Sequence, residues 1–167
     1  MVVALLVAGQ FPPSTPMLGI KEGRCRIGES GPAFDVEVEG LKDRRGHLKL
    51  ELYPADDADF LADDNVLIAA GKPFARVETP EIPPDPVRLC IRAPSPGSYA
   101  LSLLHDRNGD RRFNVSGDGI GFSGNPRLGW SKPSARLVRV VATTGRTSVR
   151  IRVNYRNGLF SFGPAAR

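Results

Sequence analysis

The sequence predicts an all-β protein, a Greek-key β-sandwich of about seven short strands with one long loop. Three observations predict it. Apolar and polar residues alternate with period two in several separate runs, which sets every second side chain on a common face. The 18 glycines and 15 prolines fall mostly between those runs, where turns need them. No stretch sustains a 3.6-residue apolar period, so no helix of ordinary length is expected.

The strands are justified in order. Phe34-Asp-Val-Glu-Val-Glu39 alternates cleanly, and Gly40 to Gly46 makes a charged turn after it. His47 to Tyr53 follows with Leu48, Leu50 and Leu52 on one face. Pro54 to Asp64 is acidic and holds one or two helical turns around Phe60-Leu61, expected as a buried plug. Phe74 to Glu78 reads as a weaker strand, and Pro80 to Pro86 as a loop. Strands at 87–92 and 98–105 come next, joined by Pro94-Ser-Pro-Gly97. Residues 106–134 carry no periodic structure, and a loop of that length inside a domain is usually functional or packed on the body. Ala135–Ala142 and Thr147–Tyr155 then form a closing hairpin. The organisation expected is a signal segment at 1–16, a linker at 17–32, the sandwich at 33–157 and a tail at 158–167.

Compartment is read from two features. Met1 to Gly9 is an apolar run too short to span a bilayer, and it resembles the core of a secretory signal without its basic start. An N-terminal strand is the other reading of that run. Gln10 stands where a lipoprotein signal needs Cys. The two cysteines, Cys25 and Cys90, either remain free or form a bridge that closes a loop of about 65 residues, adding about 4 kcal/mol in the chain-entropy model. Neither a CxxC spacing nor a Cys/His cluster points to zinc. The protein is therefore expected in the periplasm or outside the cell.

Charge is unevenly spread. Residues 1–86 hold 9 Lys/Arg against 15 Asp/Glu, whereas residues 87–167 hold 14 against 3. Such a basic half suits an anionic partner. Arg136, Arg139, Arg146, Arg150, Arg152 and Arg156 read as a ridge on the closing hairpin, with His105, Arg136, Arg150 and Arg152 as the candidate ligand contacts for an acidic glycan or an envelope protein. Arginines on an exposed strand also guard sheet edges. No stacking aromatics interleave with them, so nucleic acid is not expected.

The richest segment runs from Gly97-Ser-Tyr-Ala100 through His105-Asp106-Arg-Asn108-Gly-Asp110 to Gly119-Ile-Gly-Phe-Ser123. It resembles the bacterial family known as domain of unknown function 2141, over roughly residues 33–155. Phe60-Leu61 falls where such sequences often carry an aromatic-leucine pair. The chain departs from the pattern in lacking Pro and Glu before Gly119 and in a shorter loop exit that contains Trp130. The resemblance implies an exported protein with a transthyretin-like or immunoglobulin-like sandwich, and it implies no chemistry.

Asp106, Asn108 and Asp110 stand on alternate residues, the spacing that gathers oxygen ligands around a hard cation such as Ca²⁺. In such a loop the Arg112 carbonyl would take the seventh position, Asn114 would reach through water, and Asp118 would stand one residue late for the bidentate carboxylate. Arg111 occupies the position that normally needs glycine. The competing reading is a turn held by Asp and Asn side chains on backbone N–H groups. His105 beside Asp106 invites a base-and-orienter role in a small hydrolase or lyase, but neighbouring strand residues face opposite ways and no nucleophile completes a set. Gly119 to Gly124 matches a dinucleotide fingerprint without the following helix, and Gly28 to Pro32 only echoes a serine-nucleophile turn. The function expected is a non-enzymatic binding or structural module of the bacterial envelope. A calcium-stabilised extracellular module is the alternative, and the hydrolase or lyase a further one.

Overall fold

The computed structural model describes residues 12–159 and 161–165, and its backbone is predominantly β, arranged in several sheets. Most of the expected signal segment, residues 1–11, lies outside the described residues. In the smaller sheet β1 (Ala33–Glu39) is central, antiparallel to β4 (Arg88–Arg92) and parallel to β8 (Arg146–Arg152). The larger sheet runs from β3 (Ala75–Glu78) through β2 (His47–Pro54) to β5 (Gly97–Asp106). The far edge of β5 is shared, with β7 (Arg139–Ala142) pairing residues 97–100 and β6 (Gly119–Phe122) pairing residues 102–105.

The two sheets face each other across one core. Phe34, Val36, Ile91 and Ile151 from the small sheet meet Leu48, Leu50, Leu52, Leu101 and Leu103 from the large one. These are the alternating apolar positions of the sequence, so the period-two pattern did place the sandwich interior. The outer face of the large sheet is buried as well. Phe60 from the acidic insertion, Leu67 and Phe74 from the residues after it, and Ala135 and Val138 pack onto Tyr53, Ala100 and Phe122. Phe60 is the plug of the insertion, with ring edges meeting Tyr53 and Phe122, but the helix α2 (Asp64–Ala69) follows Phe60-Leu61 instead of enclosing it. Being covered on both faces, β5 is buried from Tyr99 to Asp106.

Three local expectations need correction. The strand β6 lies inside the segment read as irregular. A Cβ on Gly119 would run into Val153 and Tyr155, and one on Gly121 into the Arg152 backbone, so close approach demands the glycines that hid the strand. Residues 135–142 are not one strand. Ala135–Val138 turns as the short helix α3, sinking Ala135 and Val138 into the second core and leaving Leu137 exposed, before β7 begins. The Asp57 carboxylate fixes that turn by accepting the Ala135 N–H at 2.6 Å. Nor do the last long strands form a hairpin, because β7 joins the large sheet and β8 the small one.

Residues before the sandwich lie on its open side. The segment read as a linker carries α1 (Ile20–Gly23); Gly19 O accepts the Arg76 N–H of β3 at 2.9 Å, and Arg24 bridges Ile91 of β4. Cys25 and Cys90 are joined by a disulfide with Cα atoms 5.9 Å apart. One segment thus ties the edge strands of both sheets together. At the other end β9 (Tyr155–Arg156) pairs with β10 (Phe162–Gly163) in a small ribbon. No helix among the described residues is long and apolar enough to cross a membrane.

Candidate functional site

The loop after β5 is wound on three carboxylates. Asp106 is fully buried at the strand end, and it accepts the Gly109 N–H at 2.7 Å on one oxygen and the Arg111 N–H at 2.6 Å on the other. Arg111 takes φ 66° to deliver that amide, so a side-chain-bearing residue sits in the left-handed conformation where a calcium loop has glycine. Asp118, also buried, accepts the Arg107 N–H and the Asn114 N–H, both at 2.9 Å. Asp110 is exposed and accepts the Arg112 N–H and the Asn108 amide, again at 2.9 Å. Ligand oxygens of Asp106, Asp110 and Asp118 lie within 4.8 Å of one another, close enough to coordinate one metal ion.

Asn108 and Asn114, two of the other expected ligands, make turn bonds of their own. Asn108 Oδ1 accepts the Asp110 N–H, and Asn114 Oδ1 accepts from Ser116. Both are Asx-type turns. Two neighbouring cations are also occupied. Arg107 forks onto Asp43 and donates to Gly117 O, and Arg111 pairs with Glu78 at 2.5 Å. Arg107 holds the Asp43 carboxyl at about 2, well below its ordinary value. One participant escaped the sequence reading. His47 lies opposite Asp106 in the β2–β5 register, and its buried Nε2 stands 3.3 Å from Asp106 Oδ2 without a hydrogen bond.

His105 points the other way, into the sandwich end. Its Nε2 lies 2.8 Å from Arg45 O, a pure acceptor, so that nitrogen carries the proton. Nδ1 then accepts from Tyr155 Oη at 2.5 Å, and Tyr155 Oη accepts the Lys42 N–H at 3.0 Å. This chain of bonds closes only for a neutral imidazole. Burial pushes the His105 pKa down, against the opposing pull of Arg45 O and Asp43, and burial pushes Tyr155 up to about 12. Both groups therefore clamp the turn between β1 and β2 to the end of β5.

A profile for bacterial proteins, described as an uncharacterized protein conserved in bacteria (DUF2141), matches residues 36–150. The chain belongs to that family. No curated protein and no solved structure matches it. The family span takes in the three loop carboxylates, His105 and Cys90, while Cys25 and Tyr155 lie outside it.

In this family member the arginine ridge is divided among layers. Arg150 and Arg152 share the outer face of the small sheet, beside the acidic strand β1. Arg152 and Arg150 approach Glu39 at 3.7 and 3.9 Å, Arg88 approaches Glu37 at 3.6 Å, and Arg146 forks onto Asp35. Parallel pairing of β1 with β8 sets carboxylates opposite these guanidiniums, so the face is a mixed-charge ladder rather than an open anion site. Arg136 lies on α3 in the other layer, and His105 is enclosed. The four candidate ligand contacts are not brought together.

Proposed function

We propose that the chain is a non-enzymatic, exported binding or structural module of the bacterial envelope, built on a transthyretin-like or immunoglobulin-like Greek key. The packing of His105 carries this reading. A general base must reach a substrate proton, and this imidazole is enclosed with both nitrogens bonded to the fold's own groups. Support for the Greek key comes from the chain crossing between sheets at β7 and β8. Support for export comes from the disulfide, which persists in oxidising compartments. The basic second half of the chain supports an acidic glycan or an envelope protein as partner.

The test is whether His105 is structural. Its folded pKa lies below the unfolded value of about 6.5. Its contribution is thus complete above pH 6.5 and is lost as pH falls toward the folded pKa, where the native imidazole must take a proton it cannot place. Urea midpoints should fall between pH 7 and 5 in the native protein. His105→Phe should cost about 1–3 kcal/mol at pH 7, by leaving Arg45 O without its donor and the Tyr155 hydroxyl proton without its acceptor, and should flatten that pH dependence. A variant as stable as the native chain would reopen the hydrolase or lyase reading.

A second reading adds calcium, favoured by the convergence of Asp106, Asp110 and Asp118 and by the turn at Arg111. Three carboxylates on an ordered loop offer the charge and oxygen donors that Ca²⁺ prefers. After chelator treatment, Ca²⁺ at ten times its dissociation constant should raise the thermal midpoint by roughly 3 °C or more. Asp110→Ala should abolish the rise, since it removes one ligand while sparing the turn bonds of Asp106 and Asp118. A flat response at millimolar calcium would leave the loop as Asx-turn chemistry.

A further inference from the structure

A groove of about 300 Å³ opens on the second core, beside the carboxylate loop. Leu61, Ile120, Phe122 and Leu128 are among its walls, and Phe113, Trp130 and Phe162 add further aromatic surface. Phe113 is 41% exposed and Trp130 57% exposed, at the same depression. Trp130 meets the Phe162 ring edge at 5.5 Å. The sandwich already has two filled cores, so this aromatic surface is not needed to close either one.

The chemistry of the rim narrows what the groove takes. Among the described residues no carboxylate lines it. Lys132 is spent on the Asp57 and Phe60 carbonyls, at 2.9 and 2.8 Å. Arg156 stands opposite Phe162 in the terminal ribbon, with its guanidinium 6.0 Å from the centre of the Trp130 ring. Only its Nε is engaged, on Gly158 O, and its two terminal nitrogens make no hydrogen bond among the described residues. A sugar would bury hydroxyls against this wall with few partners, which is costly. An alkyl chain would not, and a carboxylate at its end would meet the free fork of Arg156.

We propose that this groove binds an anionic amphiphile of the fatty-acid class, with the chain along the apolar wall and the carboxylate at Arg156. The site goes beyond the envelope-module reading, and the two fail separately. That reading stands or falls on His105, whereas this one is read at Trp130.

Trp130 is the single tryptophan of the chain, so its emission reports the groove directly. The oxidised full chain is titrated with octanoate, decanoate and dodecanoate below their aggregation thresholds, and with dodecanol and dodecyltrimethylammonium. A saturable blue shift is expected, with affinity rising roughly fourfold per methylene from octanoate to dodecanoate. Dodecyltrimethylammonium should bind at least tenfold more weakly than dodecanoate. Leu128→Glu should remove binding, and Arg156→Ala, an exposed change that leaves the fold intact, should reduce dodecanoate to the affinity of dodecanol. Absence of a saturable shift overturns the proposal, as does equal binding of the cationic detergent. A shift that follows protein concentration instead of ligand would assign the groove to a second copy of the chain and overturn it as well.

Discussion

Replacing both Cys25 and Cys90 with serine is expected to cost about 4 kcal/mol of stability and to lower the thermal midpoint by roughly 10 °C. The bridge spans 65 residues of sequence, so cutting it returns a large share of loop freedom to the unfolded chain. The native state loses something too. Cys25 belongs to the segment that bonds Arg76 of β3 through Gly19 and bridges Ile91 of β4 through Arg24. These contacts hold one edge of the sandwich shut, and without the covalent tie that segment can detach from both strands. Urea unfolding of oxidised, reduced and double-serine protein checks this, the last two being expected to coincide. A double variant within 1 kcal/mol of the native protein would show that the bridge adds nothing the segment does not hold by itself. In cells, quenched thiol labelling should find both cysteines protected; labelled cysteines would overturn export.

The sandwich interior was legible because Phe34 to Glu39 and His47 to Tyr53 alternate, and alternation is a local property. What lay outside local reach was pairing. Arg150 and Arg152 look like an anion site until β1, more than a hundred residues earlier, lies beside them and sets Glu37 and Glu39 opposite. Burial of β5 on both faces was equally hidden, since Phe60, Leu67 and Val138, which cover its outer side, come from distant parts of the chain. At the candidate site the Asp106 and Asp110 spacing was visible. The arrival of Asp118 within 4.8 Å depends on how the loop winds, and the place of His47 depends on register. The partner of His105 was out of sight for the same reason, Tyr155 lying 50 residues away. The groove beside Trp130 joins Leu61 to Phe162 across most of the chain, a juxtaposition that no sequence window contains.

Arg76→Met is expected to cost about 3–5 kcal/mol, as much as the disulfide, although it touches no proposed binding surface. Arg76 sits on β3 beneath the insertion, with its guanidinium over the Phe74 ring. Nε bonds Glu51 of β2 at 2.8 Å, one terminal nitrogen bonds Asp64 of α2 at 2.9 Å, and the other reaches Thr15 O at 3.2 Å. All three charged groups are buried, and Tyr53 Oη adds a bond to the second Glu51 oxygen. One planar cation thus fastens three segments at a single point: the sheet, the helix α2 and the stretch before α1. Burial pushes the Asp64 carboxyl up, while hydrogen bonds from Ser14 and Arg76 bring it net below its ordinary value. Removing the guanidinium leaves burial less opposed, so a methionine of similar volume strands buried negative charge rather than opening a cavity. Lys49, 3.5 Å from Glu51, can compensate that carboxylate in part and cannot serve Asp64. The deficit should therefore be largest near neutral pH and should narrow on acidification, as Asp64 in the variant takes up a proton and its buried charge disappears. Arg76→Lys should recover only part of the loss, because an ammonium lacks the fork that holds two carboxylates and a carbonyl at once. Urea unfolding at pH 7 and pH 4.5 separates these outcomes. If Arg76→Met costs the same at both values, the loss is one of packing, and the charge network does not hold the insertion to the sheet.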